Sequence, residues 1–479
     1  MPLRIPVPNH SRVLLVLLPA LLAACDLVAE PTRPEIQAPR AWIAPEPIAA
    51  DSWPSADWWR RIGSAELDAF MTEARANNLD LAAATARIAQ VEAQARVTSS
   101  ALWPQMSLGA DAGRRGPLDE GTYRRENNLP AGTDLDTESF GLSLAASYEV
   151  DFWGRNRANR VAALENLRAS TFDRQTVALT VTTQVAATYL SILSLRDQIA
   201  IADNNLANAR DVLGVVEART RLGAVSPADL AQQRGIVAAQ EAVLAPLLQQ
   251  ERVALATLAV LLGRNPQNIT VAARSLGDLV VPPVTGGLPS ELLQRRPDIA
   301  KAEADLAAAD ANVVAARAAF FPSLDLSGVL SLETAVLSTL FGPAGAAYSV
   351  AGALSQTIFD GGRLIAEEDL AIARREELIA NYRAAILAAF SDVEAALGEV
   401  RQRADQVRLQ QVQVAEARTA FDIVNARYIA GAVDLIELLN AQRTLFDAQD
   451  ALGQLRLQQM QAAITLYRSL GGGWDKSAV

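Results

Sequence analysis

The chain has 479 residues, half of them apolar and a fifth charged, a folding composition long enough for two or three ordinary domains or one elongated one. A net charge of −11 excludes the basic footprint that a nucleic-acid binder needs. One histidine, His10, and one cysteine, Cys25, leave nothing beyond the N-terminus for His-based general bases, thiol nucleophiles, nitrogen–sulfur zinc sites or disulfides. Aromatic residues are only 5% and alanine dominates the apolar fraction, which suits closely packed helices better than a broad globular core.

The N-terminus reads first as an export signal, residues 1–24. Arg4 and Arg12 form a positive region, and Val13 to Leu22, broken by Pro19, an apolar one too short to span a bilayer. Leu22-Ala23-Ala24-Cys25 then resembles the lipobox of bacterial lipoproteins, which implies cleavage before Cys25 and its lipidation. Each acyl methylene buried in a bilayer adds roughly 0.8 kcal/mol, so a multiply acylated cysteine anchors firmly. An ordinary signal peptide with an incidental cysteine is the plainer alternative. Asp26 resembles the inner-membrane retention signal of enteric bacteria and points away from the outer membrane. Residues 25–60, rich in proline and alanine as far as Pro54, form an extended tether ending at Trp58-Trp59.

The remainder is two copies of one unit, residues 61–275 and 288–473, joined by a linker at 276–287 and followed by a tail at 474–479. Leu79-Asp80-Leu81 matches Pro297-Asp298-Ile299, and Trp103-Pro104 matches Phe321-Pro322, both at a spacing of 218. Further on the spacing is 208: Arg219 and Gly223-Ala224-Val225 match Arg427 and Gly431-Ala432-Val433, and Leu262-Gly263 matches Leu470-Gly471. The difference is a longer polar loop in the first copy, Arg114 to Thr137.

Each copy opens with a helix of alanine and charge, Asp80 to Ala101 and Asp298 to Ala319, stopped by the Trp-Pro and Phe-Pro pairs. Short alternating segments follow at Met106 to Ala112, Phe140 to Tyr148, Leu324 to Leu332 and Tyr348 to Leu354, giving hairpins at 105–149 and 322–358. Length and period suit membrane-spanning β-strands, with Phe140, Tyr148, Phe320, Phe321, Tyr348 and Phe359 near their ends. A pair of soluble hairpins would show the same alternation. A helix from about Leu364 to Tyr428 comes next, with Phe390, Val393, Leu397, Val400, Ala404, Val407, Val414 and Phe421 at coiled-coil spacing. At 1.5 Å per residue it reaches roughly 100 Å. Gly431 ends it and Leu435 to Leu470 returns antiparallel; Gly223 and Pro227 mark the same reversal in the first copy. Gln175 to Leu195 carries no charge, yet its polar residues and long helical context favour packed interior over a membrane span.

Four strands cannot close a barrel and lipid does not tolerate open sheet edges, so membrane-spanning hairpins require several chains. At this point the chain resembles a family. Gly287-Leu288-Pro289-Ser290-Glu291-Leu292-Leu293-Gln294-Arg295-Arg296-Pro297-Asp298-Ile299 is similar to the inter-repeat segment of TolC-like outer-membrane efflux lipoproteins, the NodT branch. So are Tyr148-Glu149-Val150-Asp151-Phe152-Trp153-Gly154-Arg155, Ile358-Phe359-Asp360-Gly361-Gly362-Arg363 and Leu438-Leu439-Asn440-Ala441-Gln442-Arg443, in order along nearly the whole chain.

The resemblance implies an α+β membrane protein: a homotrimer whose protomers give four strands each to a twelve-stranded outer-membrane barrel above a long α-helical periplasmic barrel. It implies passive conduction of drugs, solvents or metal ions, without enzymatic activity, cofactor or bound metal. The implied partners are the bilayer, a periplasmic adaptor (membrane-fusion) protein and an inner-membrane transporter of RND or MFS type. It places adaptor docking on the turns of Arg221, Gly223 and Ser226 and of Arg427, Gly431 and Asp434. It places a gate at Asp229, Tyr428, Glu437, Asn440 and Arg443. Asn440 departs from the aspartate common there, so any acidic charge at the aperture falls to Glu437 or Asp229. Solvated helix ends are the alternative for each of these residues. Two other architectures stay open, a lipid-anchored coiled-coil scaffold without a pore and a type I protein-secretion duct. A carboxylate-only glycosidase needs two facing acids in a cleft, which acids spread along helix faces do not supply.

Overall fold

A computed structural model of the chain describes residues 38–43, 54–282, 287 and 289–474. The expected signal segment, Cys25 and much of the tether lie outside these residues. In chain order the elements are α1 (Ala65–Asn77), α2 (Leu79–Ser99), β1 (Gln105–Arg115), α3 (Glu120–Glu126), β2 (Thr137–Val150), α4 (Arg155–Arg221) and α5 (Pro227–Leu261). There follow α6 (Pro289–Arg295), α7 (Pro297–Ala318), β3 (Ser323–Thr334), β4 (Ala346–Ser355), α8 (Arg363–Ile429) and α9 (Leu435–Ser469). Two compact units divide them: residues 90–167 with 304–380 form one, and the other described residues the second.

The first unit carries the sheet. All four strands pair antiparallel in the order β1-β2-β3-β4, so the hairpins lie side by side through β2 and β3. The ladders run past the apolar stretches to Arg115, Thr137 and Thr334, because main-chain pairing continues through polar residues that periodicity alone discounts. Opposed residues share a face, and register therefore sorts the sheet. Met106, Leu108, Leu142, Leu144, Tyr148, Leu326, Leu330, Leu332, Tyr348, Val350 and Leu354 fall on one side. Ser107, Asp111, Ser139, Ser143, Ser147, Asp325, Ser327, Ser331, Glu333 and Ser349 fall on the other. The apolar side is uncovered in the single chain: Leu108, Tyr348, Val350 and Leu354 are all exposed, and β1 and β4 are open edges.

Family-like motifs in this unit have local causes. Trp103 is extended before Pro104 and ends the short 3-10 turn, Ser100–Leu102, that follows α2. The Asp151 carboxylate accepts the amides of Asn156 (3.1 Å) and Arg157 (2.8 Å), and Asp360 those of Gly362 (3.0 Å), Arg363 (3.1 Å) and Leu364 (3.0 Å), so an acid stands at the head of each long helix. Trp153 stacks on Phe321 at 4.6 Å and donates to the Pro322 carbonyl at 2.8 Å. Within the polar loop, α3 forms on an Asp119 cap whose Oδ1 accepts from Thr122 N at 3.0 Å; at seven residues, mostly charged, it shows no apolar stripe.

The second unit is helical. Its core gathers Trp58, Trp59, Ile62, Leu67 and Met71 with α4, α8 and α9, and Trp58 stacks on Tyr467 at 4.9 Å. In the uncharged stretch of α4, Val181, Val185, Tyr189, Leu190 and Leu193 are buried in that core, while Thr182 and Thr183 hydroxyls bond back to Ala178 and Leu179 carbonyls. Among the described helices α4 alone is long and apolar enough to cross a membrane, and half of its most apolar window is buried within the chain. Of the α8 stripe, Val393, Leu397, Val407 and Phe421 are buried and Ala404 is exposed.

Candidate functional site

The second unit holds both helix reversals, and they are built alike. At α4–α5, Ala224 N donates to Arg219 O (2.9 Å) and Gly223 N to Thr220 O (3.0 Å). At α8–α9, Ala432 N donates to Arg427 O (2.8 Å) and Gly431 N to Tyr428 O (3.0 Å). This paired closure requires a left-handed residue after the helix, and Gly223 (φ 72°) and Gly431 (φ 77°) supply it. Each return helix is then capped. Ser226 Oγ accepts Asp229 N at 3.2 Å while the Asp229 carboxylate takes Ser226 N (3.1 Å) and Oγ (2.8 Å), a reciprocal capping box led by Pro227. Asp434 Oδ1 accepts Glu437 N at 2.9 Å in the equivalent place.

The expected docking residues therefore share one feature. Gly223, Ser226, Gly431 and Asp434 shape the turns, and Arg221 and Arg427 project from the preceding helical turns as exposed side chains. The expected gate residues do not form one cluster. Asp229 is engaged in its cap. Glu437 faces Arg427 at 3.7 Å, and Arg443 faces Asp447 at 3.7 Å one turn along α9, both as exposed pairs. Asn440 is exposed on α9. Tyr428, by contrast, is 2% exposed, and its hydroxyl is buried with no hydrogen-bond partner.

The residue on Tyr428 is Arg219. Its guanidinium lies 4.5 Å over the ring, and Nη2 donates to the carbonyls of Tyr428 (2.7 Å) and Ile429 (2.9 Å). Arg219 is not among the residues expected at the gate or the docking turns; its signal in the sequence is its place four residues before the turn glycine, like Arg427. Beneath the turns, Phe421, Leu435, Leu438 and Leu445 form a small core with Val212 and Val216. Gln233 is buried there with its amide on Ala209 O at 2.8 Å, and Gln442 is buried with neither amide atom bonded. Further along α9, burial and then repulsion from Asp447 push the Asp450 carboxyl above its ordinary value. No group of three or more His, Cys, Asp or Glu side chains that could hold a metal occurs among the described residues.

The comparisons with known proteins agree along the chain. Residues 70–264 and 288–472 match the family described as "Outer membrane efflux protein". The pyoverdine export outer membrane protein OpmQ of Pseudomonas aeruginosa is 43% identical over 457 residues, 95% of either chain. The cation efflux system protein CusC of Escherichia coli K12 is 31% identical, over 94% of this chain and 97% of that one. Among solved structures, the open state of the Neisseria gonorrhoeae MtrE outer membrane channel superposes with a TM-score of 0.83 at 25% identity, covering 94% of this chain and 99% of that one. A CusC crystal structure gives 0.77 at 30%, covering 92% and 99%. Its relatives are channels and not catalysts, and the chain belongs to the TolC-type outer-membrane efflux protein family.

Proposed function

We propose that three copies of this chain close a twelve-stranded barrel in the outer membrane of a Gram-negative bacterium, and that their long helices continue it as a gated periplasmic tunnel. The observation that carries this reading is the sheet. One face is apolar across all four strands, the other is lined with serine and acid, and both edges are unpaired. An apolar outer band, a polar interior and no free edge are what lipid demands of a barrel. Conduction is passive. A periplasmic adaptor seats on the turns of Gly223 and Gly431, and an RND- or MFS-type transporter supplies the energy by pushing small molecules into the tunnel. Cys25 carries the lipid anchor.

The purified chain in planar bilayers tests the reading, with heat-sensitive trimers on gels as a second readout. A lipid-anchored scaffold would give neither conductance nor trimer, and a protein-secretion duct would restore export of a polypeptide to a strain lacking one. Fractionation of native and Cys25→Ser chains decides the anchor and the sorting effect of Asp26. For cargo, the relative named for pyoverdine export at 43% identity supports a siderophore-like chelator. Deleting the gene should raise periplasmic chelator relative to medium; an unchanged ratio, with no redundant duct present, would count against that cargo.

A further inference from the structure

Arg219 connects the two tips. It stands in the last turn of α4, and the carbonyls it holds, those of Tyr428 and Ile429, close the last turn of α8, 209 and 210 residues away. Carbonyls at a helix end lack intrahelical partners and carry partial negative charge, so a guanidinium there is well placed. The Tyr428 ring face at 4.5 Å adds a second attraction. Among the described residues no carboxylate lies within ion-pair distance of Arg219. Its charge rests on uncharged acceptors alone. When such a contact opens, no buried counter-charge is stranded, and the guanidinium re-enters water.

Tyr428 supplies the other half. Its ring is buried, but its hydroxyl bonds to nothing, so packing and Arg219 fix the side chain and the phenol oxygen does not. Asp229, the acid expected at the gate on the other return helix, has its carboxylate on Ser226.

We infer that Arg219 is the latch of the closed tip, pinning the α8–α9 turn to the α4–α5 turn of the same chain until a partner seated on these turns draws it away. The inference rests on the channel reading above. It makes Arg219 a positioning residue, and the ring of Tyr428, not its hydroxyl, the surface on which it closes.

The test uses the full chain in planar bilayers, alongside amide hydrogen exchange in detergent. Arg219→Gln should raise the open probability about tenfold, the change that about 1.4 kcal/mol brings. It should also speed exchange at Gly431 and Ala432 while leaving exchange in the Trp58–Tyr467 core at native rates. Arg219→Lys, which keeps the charge but not the planar fork, should fall between. Tyr428→Leu should open the channel and Tyr428→Phe should restore closure. Native conductance and native tip exchange in Arg219→Gln would overturn the latch, as would a Tyr428→Phe channel as open as Tyr428→Leu. Absence of conductance in every chain would overturn the channel reading itself, and would leave no gate for Arg219 to hold.

Discussion

Arg296 and Asp392 form an ion pair at 3.0 Å that ties the head of α7 to α8. The same guanidinium, 12% exposed, holds Asp298 at 2.6 Å and the Ser469 carbonyl at the end of α9 at 3.3 Å. Burial works against its charge, yet the bonds and fields of Asp298 and Asp392 outweigh it and raise its pKa. One side chain thus joins three helices. Arg296→Met keeps the apolar stem and removes every one of these bonds, and should cost about 1.5–3 kcal/mol. Asp392→Asn, at a half-exposed carboxylate, should cost less than about 1 kcal/mol. Denaturant unfolding in detergent measures both, and equal losses would contradict this division.

Asn78 occupies the place of Arg296 in the first copy and makes the equivalent contact, its amide donating to Leu261 O at 2.9 Å. Behind each contact lies a left-handed glycine. A Cβ on Gly263 would strike the carbonyl of Asn77, and one on Gly471 the carbonyl of Arg295. Gly223 and Gly431 share the left-handed φ, but a Cβ there would meet nothing. Alanine at the tip glycines should therefore cost only the backbone term, about 1 kcal/mol. At Gly263 or Gly471 the carbonyl clash adds to it, and the unfolding midpoint should fall further. Four equal losses would show that conformation alone matters.

These residues show what the sequence could express. A turn glycine, a proline stop or a helix-opening proline answers a demand of the local backbone, so Gly431, Pro104 and Pro227 were readable one position at a time. The repeat was readable because the same demands recur at 218 and 208 residues. The contact of Arg219 with Tyr428 was not, since it depends on which faces of two helices meet, and its partners stand 209 residues apart. The strand ends at Arg115 and Thr137 were hidden for a different reason: periodicity reports buried side chains, while the ladder is made by main chain. Among the expected gate residues, Asp229 answers a local demand, its cap, and Tyr428 a distant one.

Acid should favour α9 at Asp450. Burial, with Asp447 beside it, raises this carboxyl above its unfolded value. The stability linked to it is therefore complete below the unfolded pKa and is lost as pH rises through the folded one. Asp450→Asn removes the loss, so the variant should be more stable than the native chain at neutral pH and should match it in acid. Unfolding curves across that range test this, and a variant less stable than native at neutral pH would mean the carboxylate is held by a partner instead.

The sheet offers the sharpest test of membrane burial because neighbouring residues on one strand face opposite ways. Leu330 pairs with Leu144 and Tyr348 on the apolar face, whereas Ser331 pairs with Ser143 and Ala347 on the polar one. If lipid covers the apolar face, Leu330→Arg places a guanidinium in hydrocarbon and should destabilise the folded chain by about 2–4 kcal/mol near the midplane. Ser331→Arg places the same charge on the water-filled side, where it should leave stability within about 0.5 kcal/mol and narrow the conducting path. Folding into lipid vesicles reports the first and single-channel conductance the second. A soluble hairpin pair would accept both arginines, because water would then reach either face.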